Sequence, residues 1–62
     1  MPELIHQLFK RALIVEDLEE PREWLAELLP KALPAVKQVD TAATLAQART
    51  CMAQHAYGLA LM

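Results

Sequence analysis

The sequence predicts an α/β domain built on a parallel sheet. Three observations carry that expectation. Ala12-Leu13-Ile14-Val15 is an unbroken apolar run, bounded by Arg11 and by Glu16-Asp17. It lacks the alternation of a half-exposed strand, and strands buried on both faces of a parallel sheet look like this. Leu59-Ala60-Leu61-Met62 is a second short apolar run. Between the two lie a pair of stretches with helical period, separated by a weaker strand signal. The order strand, helix, strand, helix, strand calls for parallel pairing through right-handed crossovers.

The first helical stretch opens near Pro21, a residue suited to a first turn because its missing N–H costs nothing there. Trp24, Leu25, Leu28, Leu29, Ala32 and Leu33 follow at helical spacing and form the expected apolar stripe. Glu27 and Lys31 make a favourable i, i+4 pair on the other side. Pro30 removes one backbone hydrogen bond and clashes with the carbonyl of Ala26, so a kink or an end near Leu29 is expected. Pro34 closes the element in either case.

Val36-Lys37-Gln38-Val39 is the weaker strand signal. Its lysine and glutamine suit an edge strand better than a central one. Residues 40–43 read as a connector. Thr44 and Gln47 then have capping-box spacing, with the Thr hydroxyl accepting from the N–H three residues on. Leu45, Ala48 and Met52 form the expected buried stripe of the second helix, and Tyr57-Gly58 ends its pattern.

Residues 1–10 read as a leader ahead of the domain proper, 11–62. Leu4, Ile5, Leu8 and Phe9 fall on one helical face, and with Pro2 in a first-turn position they predict a short helix over about 3–9. Such a helix is too short to be stable without packing.

Composition narrows the function classes. The chain has 62 residues and a mass of 7.0 kDa, enough for one small domain. A domain of that size buries roughly 60% of its unfolded surface, which argues against a large enclosed active-site cavity. Hydrophobic residues make up 55%, which argues against disorder. The net charge is −2 with a pI near 5.5, against nucleic-acid binding by this segment, because neutralising phosphates needs surplus Lys and Arg. No apolar stretch approaches the ~20 residues that span a bilayer, so no membrane role is expected. The start, with an early acid and no basic residue, is unlike a secretory signal. A single thiol, Cys51, excludes an internal disulfide and suits a reducing compartment.

Six of the eight acids fall between positions 16 and 27: Glu16, Asp17, Glu19, Glu20, Glu23 and Glu27. Most of such a cluster is ordinarily a solvated helix face near a helix N-terminus. Glu16 and Asp17 differ because they follow the first strand directly. Ligands of open parallel sheets bind outside the carboxyl ends of the strands. Two adjacent carboxylates there repel each other unless a proton or a cation intervenes. A hard cation such as Mg2+ prefers oxygen ligands and keeps several waters. Glu16 and Asp17 are therefore the candidate metal ligands. A third oxygen ligand would complete the site, and the place just beyond Met62 is the natural one.

Here the sequence resembles a known family. Arg11-Ala12-Leu13-Ile14-Val15-Glu16-Asp17, followed by Pro21-Arg22-Glu23-Trp24-Leu25, resembles the opening of a response-regulator receiver domain from bacterial two-component signalling. Tyr57-Gly58-Leu59-Ala60-Leu61-Met62 is similar to the receivers' third strand, which runs into the phosphoaccepting aspartate. Positions 36–48 are similar to the second strand and the start of the second helix. The resemblance covers 10–62, a little under half of a receiver. It implies a flavodoxin-like (CheY-like) sheet, here as an incomplete β1-α1-β2-α2-β3 half with an extra N-terminal short helix.

The resemblance also implies a function. The parent protein would take a phosphoryl group from a sensor histidine kinase onto an aspartate just after Met62. Asp17 would ligate Mg2+ directly, and Glu16 directly or through water. Phosphorylation would then control an output domain, most commonly one that binds DNA, in the bacterial cytoplasm. The chain departs from the family in several ways. The phosphoacceptor, the hydroxyl residue of the fourth strand and the lysine of the fifth are absent, and the leader is longer than usual. Gly58 also stands where an acid is often found. No phosphorylation of these 62 residues alone and only weak Mg2+ binding are therefore expected. The family's strand order leaves the third strand without its outer neighbour here. Self-association through Leu59-Ala60-Leu61-Met62 is the expected consequence.

Other tempting residues have plainer readings. His6 and His55 have no second ligand at metal spacing, and a zinc site needs three or four. Cys51 adjoins the helix stripe and reads as a buried, inert thiol. Trp24 and Met52 read as core residues. Two other function classes stay open. Abundant alanine and leucine suit a small helical interaction module without catalytic activity. An enzyme using Glu16 and Asp17 as general acid and base is disfavoured, because adjacent residues of an extended segment point to opposite faces.

Overall fold

The protein is described here by a computed structural model, which covers residues 10–62. The expected helix over 3–9, and His6 with it, lies outside the described residues. Strand β1, Arg11–Val15, occupies the centre of a three-stranded sheet of order β2-β1-β3. β2 is Gln38–Ala42 and β3 is Leu59–Leu61, and both pair with β1 in parallel. The chain is thus a small α/β fold, as its pattern of elements predicts. The sheet excludes the all-helical alternative.

The unalternating apolar run of β1 has a direct cause. Ala12 and Ile14 face one side, where they pack with Leu29 and Val36. Leu13 faces the other, where it packs with Ala42 and Ala48. All three β1 residues are fully buried. Each face is covered by one helix. Helix α1, Glu19–Ala32, lies over the Ala12–Ile14 face, and helix α2, Leu45–Gln54, over the Leu13 face. The two crossovers run in opposite directions along the sheet, and right-handed connections then place their helices on opposite sides.

Four expectations need correction. First, of the two outcomes expected at Pro30, a kink or an end near Leu29, the end is excluded. α1 continues through Pro30 to Ala32, and the Leu33 N–H closes it onto the Leu29 carbonyl at 2.8 Å. The interior proline costs its own hydrogen bond to Ala26 but does not stop the next turn from forming.

Second, β2 starts later than position 36. The N–H groups of Lys37 and Gln38 both donate to the Lys10 carbonyl, at 2.7 and 3.1 Å, so pairing with β1 begins only there. Val36 precedes the strand and is buried beneath α1. Asp40 and Thr41, expected in a connector, are strand residues. β2 is nonetheless an edge strand.

Third, Trp24 and Met52 are not core residues. Trp24 is 60% exposed and Met52 46%. On α1 only Leu25, Ala26 and Leu29 reach the sheet.

Fourth, Leu45 is 61% exposed, because α2 meets the sheet mainly through Ala48 and Cys51. The α2 cap itself is as expected: Thr44 Oγ1 accepts from the Gln47 N–H at 3.1 Å. The Gln47 side chain reaches back to the N–H of Ala43, at 2.7 Å. Among the described residues, no helix is long and apolar enough to cross a membrane.

Candidate functional site

Because all three strands run the same way, their carboxyl ends share one rim. The register fixes what meets there. Val15 pairs with Ala42 and Ile14 with Leu61, so Met62 stands level with Val15. The Glu16 N–H donates to the Ala42 carbonyl at 3.0 Å and carries the β1–β2 ladder one step past the strand. Glu16 and Asp17 therefore leave the central strand at the rim where β3 also ends. Both acids thus follow β1 directly, at its carboxyl end.

The two acids differ in their surroundings. Glu16 is half-buried, whereas Asp17 is exposed. The Glu16 carboxylate turns back along the chain, and its Oε1 accepts from the Leu18 N–H at 3.3 Å. That matters because Leu18, the N-cap of α1, offers no side-chain cap of its own. The Glu16 carbonyl accepts from Nη1 of Arg22 at 3.0 Å. Among the described residues, no hydrogen bond or ion pair engages the Asp17 side chain.

The oxygens of the two carboxylates are of the ligand type that a hard cation prefers, and one of them, Oε1 of Glu16, already accepts from the Leu18 N–H. Carboxylate oxygens from one or two residues are what Mg2+ takes from proteins when waters and phosphate oxygens fill its remaining positions. No group of three or more His, Cys, Asp or Glu side chains is gathered for a metal among the described residues. His55 is exposed and packs edge-on against Tyr57, with ring centroids 6.3 Å apart. Cys51 is only partly buried, against the Leu13 cluster.

A second polar cluster escaped the sequence reading. Asp40 Oδ2 accepts from Nε of Arg11 at 2.8 Å and pairs with its Nη2 at 2.8 Å. The Tyr57 hydroxyl donates to the same oxygen. The Arg11 guanidinium carbon also lies 5.8 Å from the Tyr57 ring centroid. The Arg11 hydrogen bond holds the Asp40 carboxyl below its ordinary range. Burial, then the bond to Asp40, pushes the Tyr57 phenol up to about 12. The cluster ties β1, β2 and the α2–β3 loop together on the α2 side. Its one sequence signal was the β-branched pair Val39 and Thr41 flanking Asp40, which favours a strand over a connector.

No protein-family model matches the chain, and no curated protein or solved structure gives a significant match.

Proposed function

We propose that residues 11–62 are the first half of a response-regulator receiver domain with a flavodoxin-like sheet, and that 1–10 are a leader. Asp17 is the open Mg2+ ligand at the rim, and Glu16 is a second ligand, direct or through water. The parent protein accepts a phosphoryl group from a sensor histidine kinase on an aspartate just after Met62, in the cytoplasm. It passes the signal to an output domain, in this reading one that regulates transcription. The bound metal would neutralise charge on the phosphoryl oxygens.

One observation supports this above the others. The acid pair follows the central strand of a parallel sheet, at the rim where β3 ends. This chain's own residues contribute position. The β1–β2 ladder continues to Glu16, and the carbonyl of Glu16 is tied to Arg22. The acids are thereby offered from a braced turn instead of a free loop. Extending the parent gene beyond Met62 tests the proposal. The expected outcome is an aspartate at the next position, with a Thr or Ser and then a Lys further on. Any other residue next to Met62 overturns it.

A further inference from the structure

An apolar groove opens at the amino-terminal rim of the sheet, opposite the acids. Leu33, Pro34 and Ala35 of the loop after α1 form one wall, and Leu59, the first residue of β3, forms the other. Leu33 is left 41% exposed. The groove measures about 230 Å³. Pockets that hold drug-sized ligands run to ~300–1,000 Å³, so this one suits a few apolar side chains better than a cofactor. All three lysines of the chain stand at the same rim: Lys10 just before β1, Lys31 in the last turn of α1 and Lys37 just before β2. The chain also enters the sheet there. Ala12 pairs with Leu59, which puts Lys10 two residues outside that pair. With strands ~4.8 Å apart and ~3.3 Å per residue along each, Lys10 lies about 8 Å from Leu59. Residues 1–9, outside the described residues, lead into Lys10. Their sequence puts Leu4, Ile5, Leu8 and Phe9 on one helical face, and it contains Glu3 but no Lys or Arg.

We propose that this groove is the docking site of the chain's own leader: residues 3–9 lie across the amino-terminal rim as a helix and turn their apolar face onto Leu33 and Leu59. Three arguments select this occupant. The first is length. A seven-residue helix is about 10 Å long at ~1.5 Å per residue, which matches the short distance from Lys10 to the groove. The second is tethering. The leader is joined to Lys10 directly, and a short covalent link gives an effective concentration in the millimolar range, which a free partner must outcompete. The third is charge. The leader's single acid, Glu3, meets a rim that carries every lysine of the chain. Such exposed pairs add little energy, so they orient the segment while the apolar contacts hold it. Docking also answers a need on each side. A helix this short requires packing to persist, and the groove leaves Leu33 uncovered. The inference holds whatever the acids at the other rim bind.

Methyl-resolved nuclear magnetic resonance of the 62-residue chain tests this. Ile5 and Leu8 should show Overhauser contacts to Leu33 and Leu59. In a mixture of labelled and unlabelled chains, those contacts should arise within one chain. Leu8→Ser should lower the folding constant about fivefold or more, the effect of uncovering much of a leucine. Gln7→Ser, off the apolar face, should leave it unchanged. Leu8→Ser and Leu33→Ser should cost less together than the sum of their separate costs, because they remove one shared contact. The contact measurement needs no variant, so it decides the matter even where a variant fails to fold. Contacts that arise only between chains give the groove to a second copy and overturn the proposal. Contacts to Met52 on the α2 side in place of Leu33 and Leu59, or no contacts at all, overturn it too. So does removal of residues 1–9 without loss of stability.

Discussion

Tyr57 and Arg11 meet at a single oxygen, Oδ2 of Asp40. That oxygen links the first residue of β1, the middle of β2 and the loop that leads into β3. Asp40→Ala should therefore cost more than a surface ion pair, since it strands two donors at once. We expect a larger loss than from removing the Tyr57 hydroxyl alone, moderated because the Arg11 guanidinium can turn to water. Tyr57→Phe should cost about 0.5–1.5 kcal/mol, the net worth of one hydrogen bond. Urea denaturation followed by the single tryptophan measures both.

The same cluster sets the pH limits of stability. Asp40 is held below its ordinary pKa, so its contribution is complete above the unfolded carboxyl value and is lost as pH falls through the folded one. Tyr57 is raised to about 12, so its contribution is complete below the unfolded value near 10. It is lost as pH rises from there towards 12, because the fold disfavours the phenolate. The chain has one tyrosine, so ultraviolet absorbance titration reads it directly. A phenol midpoint at or below 10 in the folded chain contradicts the cluster.

Burial rather than hydrophobicity should rank the apolar residues. Leu13 is fully buried, and Leu13→Ala should cost about 2–5 kcal/mol. Leu45 is largely exposed, and Leu45→Ala should stay within about 0.5 kcal/mol of wild type. Equal losses at the two sites would contradict the packing described above.

β3 has one strand neighbour, so the peptide groups of its outer edge are unpaired within the described sheet. Leu59-Ala60-Leu61-Met62 carries no charge to discourage a further strand. The 62-residue polypeptide should sediment heavier than 7.0 kDa, and Ala60→Lys should shift it towards the monomer. A monodisperse 7.0 kDa wild type would contradict pairing through this edge.

Acetyl phosphate should leave the 62-residue chain unlabelled in the presence of Mg2+. Intact-mass measurement reads the result, and stoichiometric labelling would place an acceptor among these residues and overturn the proposed one after Met62.

What was legible in the sequence is what neighbours in the chain decide. β1 shows as a short apolar run because both of its faces are buried, whereas β3 shows as one although it lies at an edge with Ala60 exposed. The α2 cap shows because Thr44 and Gln47 sit three apart. The acid pair shows because it follows the first run directly. Tertiary contacts decided the rest. The start of β2 depends on the Lys10 carbonyl, and the depth of Trp24 and Leu45 on how little sheet the helices cover. Asp40 finds Arg11 across 29 positions, and no local pattern announces that. The grip of Arg22 on Glu16 was invisible for a related reason, since a carbonyl acceptor leaves no mark in a sequence.

β2 and β3 do not pair with each other, and each forms its ladder with β1 alone. With no hairpin among the described strands, each of their contacts must wait for a helix-bearing segment to close on itself. Chains rich in such distant pairings assemble more slowly than those rich in local ones. Assembly is therefore hub-like: substitutions in β1 should slow the arrival of both outer strands, whereas substitutions in β3 should mainly hasten its departure.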